Sequence, residues 1–430
     1  MRESLFFASC IDITVLLMST WLLFRYGKIS LYHPATTYLI FHIFAFTTRL
    51  FFLTSGAAYF LGGQIDYFTE IESHEIVKAV LLADLGFISM TTAWLLESNR
   101  KTSLIASKSV KIIDENNLKL VLFIAIPLGI WGIFSQLYIP GIGKAQLNFG
   151  TWSESSYLQN TQNLLILSYL MIVFKYGFQK YSLVIIGICL FILAFQGQHR
   201  YRVLVPCLFL LFLYLHRQQK RWLSPRFFLI ILVGIMFFLP MKYVGKLIQQ
   251  GASTEELIEF ASEYRESLGM GANADFSFLD MYASTLTLID QHGGYYYGTT
   301  YLNLLLIPIP RPFWENKPSL VQWITDVSTP ARNLKELGAI PTIYGESYVN
   351  FGYLGIIFIP FLFAKYSARW YFNILDTHSQ SANLYFYLYF AAILVQVYRD
   401  GLNAIIIFLS AYNMPGFFVY ILSICKQKRS

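Results

Sequence analysis

Residues 5–24 read LFFASCIDITVLLMSTWLLF, and Arg25 and Lys28 follow. This run carries one charged side chain, Asp12. An α-helix rises about 1.5 Å per residue, so the run matches the roughly 30 Å hydrocarbon core of a bilayer. No small-residue cleavage site follows it, so we read it as a retained span rather than a removed signal peptide. The same pattern recurs along the chain.

Composition agrees. The 430 residues are 56% hydrophobic and 13% charged, with a mean hydropathy of +0.50. Soluble domains carry about 25% charged residues. The sequence therefore predicts an all-α, polytopic helical integral membrane protein, because helices satisfy their own backbone in lipid. A barrel would need short alternating strands, and the sequence has none of that pattern. About eleven transmembrane helices are expected, at residues 5–24, 36–55, 75–96, 118–138, 162–175, 181–196, 203–216, 227–241, 345–364, 383–398 and 402–424. The expected organisation is transmembrane helices over 1–241, a large external loop over 242–344, and further transmembrane helices over 345–430.

The net charge of +7 does not point to nucleic acid, since no basic face with interleaved aromatics stands in a soluble domain. Basic residues instead mark short loops, as the positive-inside rule expects. They are Arg25 and Lys28, then Arg100 to Lys119, Lys175 and Lys180, Arg217 to Arg226, Lys365 and Arg369, and the tail from Lys426. Under the eleven-span count these share the cytoplasmic side. An acidic loop with Asp66, Glu70, Glu72 and Glu75 lies opposite. Cys10, Cys189, Cys207 and Cys425 all fall inside apolar runs and read as small core hydrophobes, with no disulfide framework.

The external loop is not low-complexity. Ser253 and Glu256 have capping-box spacing. Leu279, Ala283, Leu286 and Ile289 recur at helical spacing, predicting a helix from Asp275 to about His292 that stops at Gly293 and Gly294. YLNLLLIPIP, residues 301–310, is too short to span and is read as re-entrant or interfacial.

Positive-inside makes external arginines informative. They stand in QGQHRYR (196–202), IPRPFWENKP (309–318) and YRDGLN (398–403). Arg200, Arg202, Arg311, Lys317 and Arg399 suit a phosphate ligand, because guanidinium binds phosphate oxygens bidentately. The alternative is snorkelling anchors, or ion-pair partners of Asp400 and Glu346. Glu346, in YGESYVNFGYLG (344–355), is a candidate general base on a sugar hydroxyl, or a helix N-terminal acid favoured by the macrodipole. His199 competes for the base role, since imidazole titrates near neutral pH; it also reads as a polar turn residue. Within the spans, Arg49 is expected to pair with Asp84, or to join the basic site. The chain lacks a P-loop, an H-E-x-x-H helix, paired Cys/His spacing, a D-x-D pair and a G-x-S-x-G elbow. No metal and no cofactor are expected.

Taken in order, GQHRYR, the long loop ending IPRPFWENKP, YGESYVNFGYLG and YRDG resemble the O-antigen polymerases and related oligosaccharide repeat-unit polymerases of bacterial envelopes. The resemblance covers the whole chain in layout and four short motifs in sequence. It implies a GT-C-like, metal-independent glycosyltransferase of the inner membrane, with its active site and large loop on the periplasmic side. The implied substrate is an undecaprenyl-pyrophosphate-linked oligosaccharide. A growing chain would pass from its carrier to the incoming unit, with Arg200, Arg202, Arg311 and Arg399 on the pyrophosphate and Glu346 or His199 taking the proton. Implied partners are membrane lipid, a chain-length regulator and a flippase, with no nucleic acid. An O-antigen ligase, a flippase or exporter of the lipid-linked unit, and a membrane scaffold are the rival readings.

Overall fold

The computed structural model describes residues 2–55, 71–100, 113–135, 138–139, 143–144, 156–195, 201–226, 253, 255–256, 258, 278–306, 314, 322–328, 341–375 and 380–427. The fold is helical, with a two-residue antiparallel ladder, Tyr138–Ile139 against Gly143–Lys144, beside the helices. Helices or helix pairs occupy ten of the eleven expected segments. The remaining one, 227–241, lies outside the described residues. Among the described residues, five helices are long and apolar enough to cross a membrane, or six if one broken pair counts as a single span.

The chain divides into two compact units. The first comprises Met1–Thr102, Ser267–Phe372 and Leu394–Ile406, and the second the remaining segments.

In the first unit, α1 (Arg2–Tyr26) packs along α4 (Ser73–Ser98). Between them in sequence come α2 (Pro34–His42), a π-turn at Ile43–Thr47 and α3 (Thr48–Ser55). His33 caps α2 by accepting from the Ala35 N–H at 3.0 Å. Glu72 and Glu75 form a capping box at the start of α4, which satisfies two otherwise orphaned N–H groups. The unit is greasy outside and polar within. Phe6, Phe7, Leu17 and Trp21 face outward, while Asp12, His42, Arg49 and Asp84 are buried. That inversion suits a lipid solvent.

α9 (Phe278–His292) packs on α4. It matches the predicted helix and ends at Gly293, whose φ is +74°. The Ser253–Glu256 capping box also forms, with both reciprocal bonds present at 2.7 and 3.2 Å. The stretch read as re-entrant or interfacial, 301–310, is helical as far as Leu306, within α10 (Thr299–Leu302) and a 3-10 turn at Asn303–Leu306; 307–310 lie outside the described residues. A short helix, α11 (Gln322–Val327), follows.

α12 (Thr342–Leu375) is not the single straight span expected over 345–364. Gly352 breaks it with φ +61° and ψ −143°. Residues 342–350 ahead of the break are buried throughout. Residues 353–375 after it are long enough to cross by themselves, at about 1.5 Å per residue.

In the second unit, α5 (Glu115–Ser135) and α6 (Ser156–Tyr176) pack closely. Gly129 and Gly132 set that distance, since a Cβ on either would lie within 2.5 Å of the α6 backbone. Small residues at a helix interface let the two backbones approach closely in lipid. α7 (Lys180–Phe195), α8 (Tyr201–Arg217) and α15 (Met414–Gln427) complete its larger helices. α13 (Ala382–Asp400) contributes to both units. The segment expected as one span over 402–424 breaks into α14 (Asn403–Ile406), a π-turn at Ile407–Ala411 and α15. Cys189 is buried, but Cys10 and Cys207 sit on exposed apolar faces, so two of the cysteines are not core residues.

Each unit gathers its basic loop residues at one end. In the first, Lys28 Nζ donates to the Ser98 carbonyl at 3.4 Å. Arg369 and Arg100 both pair with Glu97, at 2.9 and 3.6 Å. In the second, Lys175 Nζ donates to the Ile113 carbonyl at 2.8 Å, and Arg217 donates to the Phe174 carbonyl at 2.6 Å.

Candidate functional site

The site is built on the helix break at Gly352. Removing helical geometry there frees the carbonyls of Val349 and Asn350, and buried carbonyls need donors. The N–H groups of Tyr296 and Tyr297 supply them, each at 2.9 Å. Asn350 then fastens the incoming turn. Its Nδ2 donates to Thr300 Oγ1 at 2.7 Å and to the Glu346 carbonyl at 2.8 Å. Its Oδ1 accepts from the Gly298 N–H and from Thr300 Oγ1, both at 3.0 Å. Tyr348 donates to Asp290 Oδ1 at 2.5 Å, and Asp290 pairs with Lys78. Gly355 lies so close to the Ser347 carbonyl that a Cβ would sit 2.1 Å from it. Four residues of the motif at 344–355 thus have defined structural work: Tyr348, Asn350, Gly352 and Gly355.

Glu346 sits inside this frame and is 1% exposed. Its Oε2 accepts from the Leu402 N–H at 2.5 Å. Gly401, with φ +90°, packs flat against the carboxylate, where a Cβ would lie 2.4 Å from Oε2. YGES and YRDGLN, distant in sequence, therefore meet. Arg399, one turn residue away, forks onto its neighbour Asp400 at 2.7 and 3.3 Å. Both are about one-third exposed, so the pair is open to solvent or ligand and is not an anchor for Glu346.

Three buried polar atoms here have no hydrogen-bond partner among the described residues: Glu346 Oε1, the Tyr301 hydroxyl and Asn403 Oδ1. Buried polar groups are nearly always satisfied, so such exceptions need an explanation. Tyr301 feels the Glu346 carboxylate, and burial first, then that charge, hold its phenol above the ordinary tyrosine range. The Tyr301 hydroxyl lies near the Glu346 carboxylate, with the Ser347 and Asn350 side chains beside it opposing the rise, and Asn403 follows Leu402, whose N–H binds Glu346; such a group could hold a ligand hydroxyl. Tyr301 and Asn403 carry no motif signal of their own.

Arg202 belongs to the second unit. It is 6% exposed and lines a small cavity with Asn163, Tyr201, Pro206, Tyr389 and Phe408. Tyr201 stands edge-on to Phe408 and Tyr412, at 4.9 and 5.4 Å between ring centres. His199, Arg200, Arg311 and Lys317 lie outside the described residues. Trp314, in the same stretch as Arg311, is 39% exposed.

The expected Arg49–Asp84 pair does not form. Arg49 Nε instead donates to Asp280 Oδ2 at 2.7 Å, with both side chains buried. α9 brings Asp280 to the end of the α2–α3 segment, and that long-range contact wins over the in-span carboxylate. Burial raises the Asp280 carboxyl above its usual range, while Arg49 pulls it back down. Asp84 lies instead with Asp12 and His42, three buried groups whose ligand atoms fall within 4.8 Å of one another. Among the described residues this is the set that could hold a metal ion. Cys/His spacing rules do not reach it, because its members come from three different helices.

No family model matches the chain, and no curated protein or solved structure is similar to it.

Proposed function

We propose that the chain is a polymerase of polyprenyl-pyrophosphate-linked oligosaccharide repeat units, acting at the periplasmic face of the bacterial inner membrane. The observation that carries this reading is the buried set of Glu346 Oε1, the Tyr301 hydroxyl and Asn403 Oδ1, without hydrogen-bond partners among the described residues, near Arg399, which is about one-third exposed. It offers hydroxyl recognition next to a guanidinium, which is what a sugar acceptor and a pyrophosphate donor together require.

In this reading an acceptor hydroxyl attacks the anomeric carbon of the donor. The new glycosidic C–O bond forms as the bond to the pyrophosphate carrier breaks. The hydroxyl proton passes to Glu346 or His199. Arg399, with Arg311 and Lys317 of the same unit, stabilises the charge developing on the leaving pyrophosphate. Energy comes from the activated donor, so a face without ATP suffices.

The eleven-span topology belongs to the same proposal. The gathering of Lys28, Arg100 and Arg369 at one end of the first unit supports it, because positive-inside places that end in the cytoplasm. Glu346 sits toward the other end. Tyr344 packs over Gly86 at the middle of α4, and Tyr348 shares Asp290 with Lys78 near the start of that helix.

A flippase is the second reading, favoured by the buried cluster of Asp12, His42 and Asp84, whose two carboxylates stand at mid-helix, a placement transporters use. The test is gene deletion in the native host, with plasmid rescue, followed by a gel of surface polysaccharide. A ladder collapsed to a core bearing one repeat unit, restored by wild type and not by Arg399→Ala or Arg311→Ala at equal protein level, supports polymerase. Polymer stranded on its lipid carrier means ligase. Single lipid-linked units accumulating on the cytoplasmic side mean flippase. An unchanged ladder in a host with no second polymerase rejects the reading.

A further inference from the structure

Asp12, His42 and Asp84 have no part in the chemistry above, yet they are among the costliest groups in the first unit. Asp12 lies near the middle of α1, Asp84 near the middle of α4, and His42 ends α2. Mid-helix charge in a membrane-spanning segment carries the largest penalty and is retained for a reason. His42 and Asp12 are fully buried and Asp84 is 3% exposed. His42 Nε2 lies 2.8 Å from Asp12 Oδ1 and 3.7 Å from Asp84 Oδ1.

With both carboxylates ionised, protein groups alone do not balance this site. One imidazolium would leave two carboxylates with a single positive charge between them. Arg49, the basic residue that sequence would bring here, is committed to Asp280. The walls are aromatic, with Phe46 and Phe87 rings 5.2 and 4.9 Å from the imidazole. Asp12 Oδ2 and both oxygens of Asp84 are buried without a hydrogen-bond partner. Two carboxylates aim unsatisfied oxygens at the same space as the imidazole nitrogen, within 4.8 Å.

We propose that Asp12, His42 and Asp84 bind one divalent transition-metal ion. A dication with two carboxylates and a neutral imidazole is electrically balanced, which removes the burial penalty. The mixed nitrogen and oxygen set suits zinc or manganese, whereas magnesium and calcium take oxygen ligands. Ligand atoms on a tetrahedral ion with bonds of about 2.0–2.1 Å stand roughly 3.4 Å apart. The 2.8 and 3.7 Å separations bracket that value. Metal-bound histidines usually have their second nitrogen held by a neighbour. His42 Nδ1 lies 3.0 Å from the Tyr38 hydroxyl, and Tyr344 donates to that hydroxyl in turn. Tyr344 is two residues before Glu346. The ion therefore clamps α1, α2 and α4, and through Tyr38 it fixes the half-helix that carries Glu346.

The proposal stands apart from the polymerase reading, and its test needs no activity. The full chain is purified in detergent through a histidine-free tag, without chelator, and its metal content is measured by mass spectrometry. We expect about one zinc or manganese per chain. Asp84→Asn and His42→Gln should lose it by tenfold or more, on the order of what losing a ligand does. Tyr38→Phe should keep the fold and weaken zinc affinity by about 10–100-fold. Chelator should lower the melting temperature of the wild type, and zinc or manganese chloride should restore it. Metal content equal in wild type and Asp84→Asn would overturn the assignment. So would a wild type that carries no metal and whose melting temperature ignores both chelator and added metal; the two aspartates would then share a proton. If the ligand variants fail to fold, the wild-type measurements decide alone.

Discussion

The carboxylate of Glu346 and the backbone N–H of Leu402 are joined by a hydrogen bond of 2.5 Å. This one bond ties the half-helix before Gly352 to the turn that carries Arg399 and Asp400. Glutamine keeps an acceptor for that N–H but cannot take a proton at neutral pH. Glu346→Gln should therefore retain stability to within about 1 kcal/mol while abolishing polymer, if Glu346 is the base. Glu346→Ala should lose both, with about 1–3 kcal/mol of stability gone because a donor is left unpaired. Denaturation in detergent, read beside the polysaccharide ladder, separates the two. A Glu346→Gln protein that still makes a full ladder would move the base role to His199.

Gly401 is the other half of that contact. It has φ +90°, and a Cβ would sit 2.4 Å from Glu346 Oε2 and 2.7 Å from Cδ. Gly401→Ala adds backbone strain to a steric conflict, together about 2–4 kcal/mol. Because the clash is with the carboxylate itself, a shift of Glu346 should relieve part of it. Gly401→Ala combined with Glu346→Ala should then cost less than the sum of the two single changes, which a double-mutant cycle in detergent measures.

Asn350 makes four side-chain hydrogen bonds to three partners, Gly298, Thr300 and Glu346, which makes it the most connected side chain described at the site. Asn350→Ala leaves the Gly298 N–H and the Glu346 carbonyl without it, so about 1–3 kcal/mol of destabilisation is expected. Asn350→Asp keeps the acceptor for Gly298 but loses both Nδ2 donations. It should fall between wild type and Asn350→Ala in a thermal unfolding series. Equal stability of all three would mean that the turn at 298–300 is held by its backbone bonds alone.

The helices were legible because hydropathy and capping are local. The run at 5–24 needs only its own composition to become α1, and Ser253 with Glu256 needs only four residues to form its box. Gly293 as a stop needs one. What sequence missed depends on partners far along the chain. Glycine is visible in NFGYLG, but the break at Gly352 is viable only because Tyr296 and Tyr297 bring N–H groups to the carbonyls it frees. The partner of Arg49 is not local either, because Asp84 and Asp280 are equally plausible carboxylates until α9 is placed. The cluster of Asp12, His42 and Asp84 has no spacing rule to reveal it, since each member sits on its own helix. At the site, Glu346 and Arg399 were legible as unusual residues in unusual places, whereas Tyr301 and Asn403 were silent.

The Arg49–Asp280 pair tests that lesson directly. Both side chains are buried, and the Nε–Oδ2 distance is 2.7 Å. Arg49→Ala leaves a buried carboxylate without its counter-charge, a loss of about 3–5 kcal/mol. Asp84→Asn should not show this coupling with Arg49, whereas Asp280→Asn should, in double-mutant cycles. The deficit also has a pH signature. Burial already raises the Asp280 carboxyl, with Arg49 opposing the rise; without the guanidinium it rises further above its unfolded value. A raised folded-state pKa favours the protonated native form, so stability falls as pH climbs through the window above the unfolded value. The Arg49→Ala deficit should therefore shrink on acidification, as Asp280 takes up a proton and no longer needs the cation. Unfolding curves at several pH values between about 4 and 8 would show it, and a deficit independent of pH would mean that Asp280 finds another donor once Arg49 is gone.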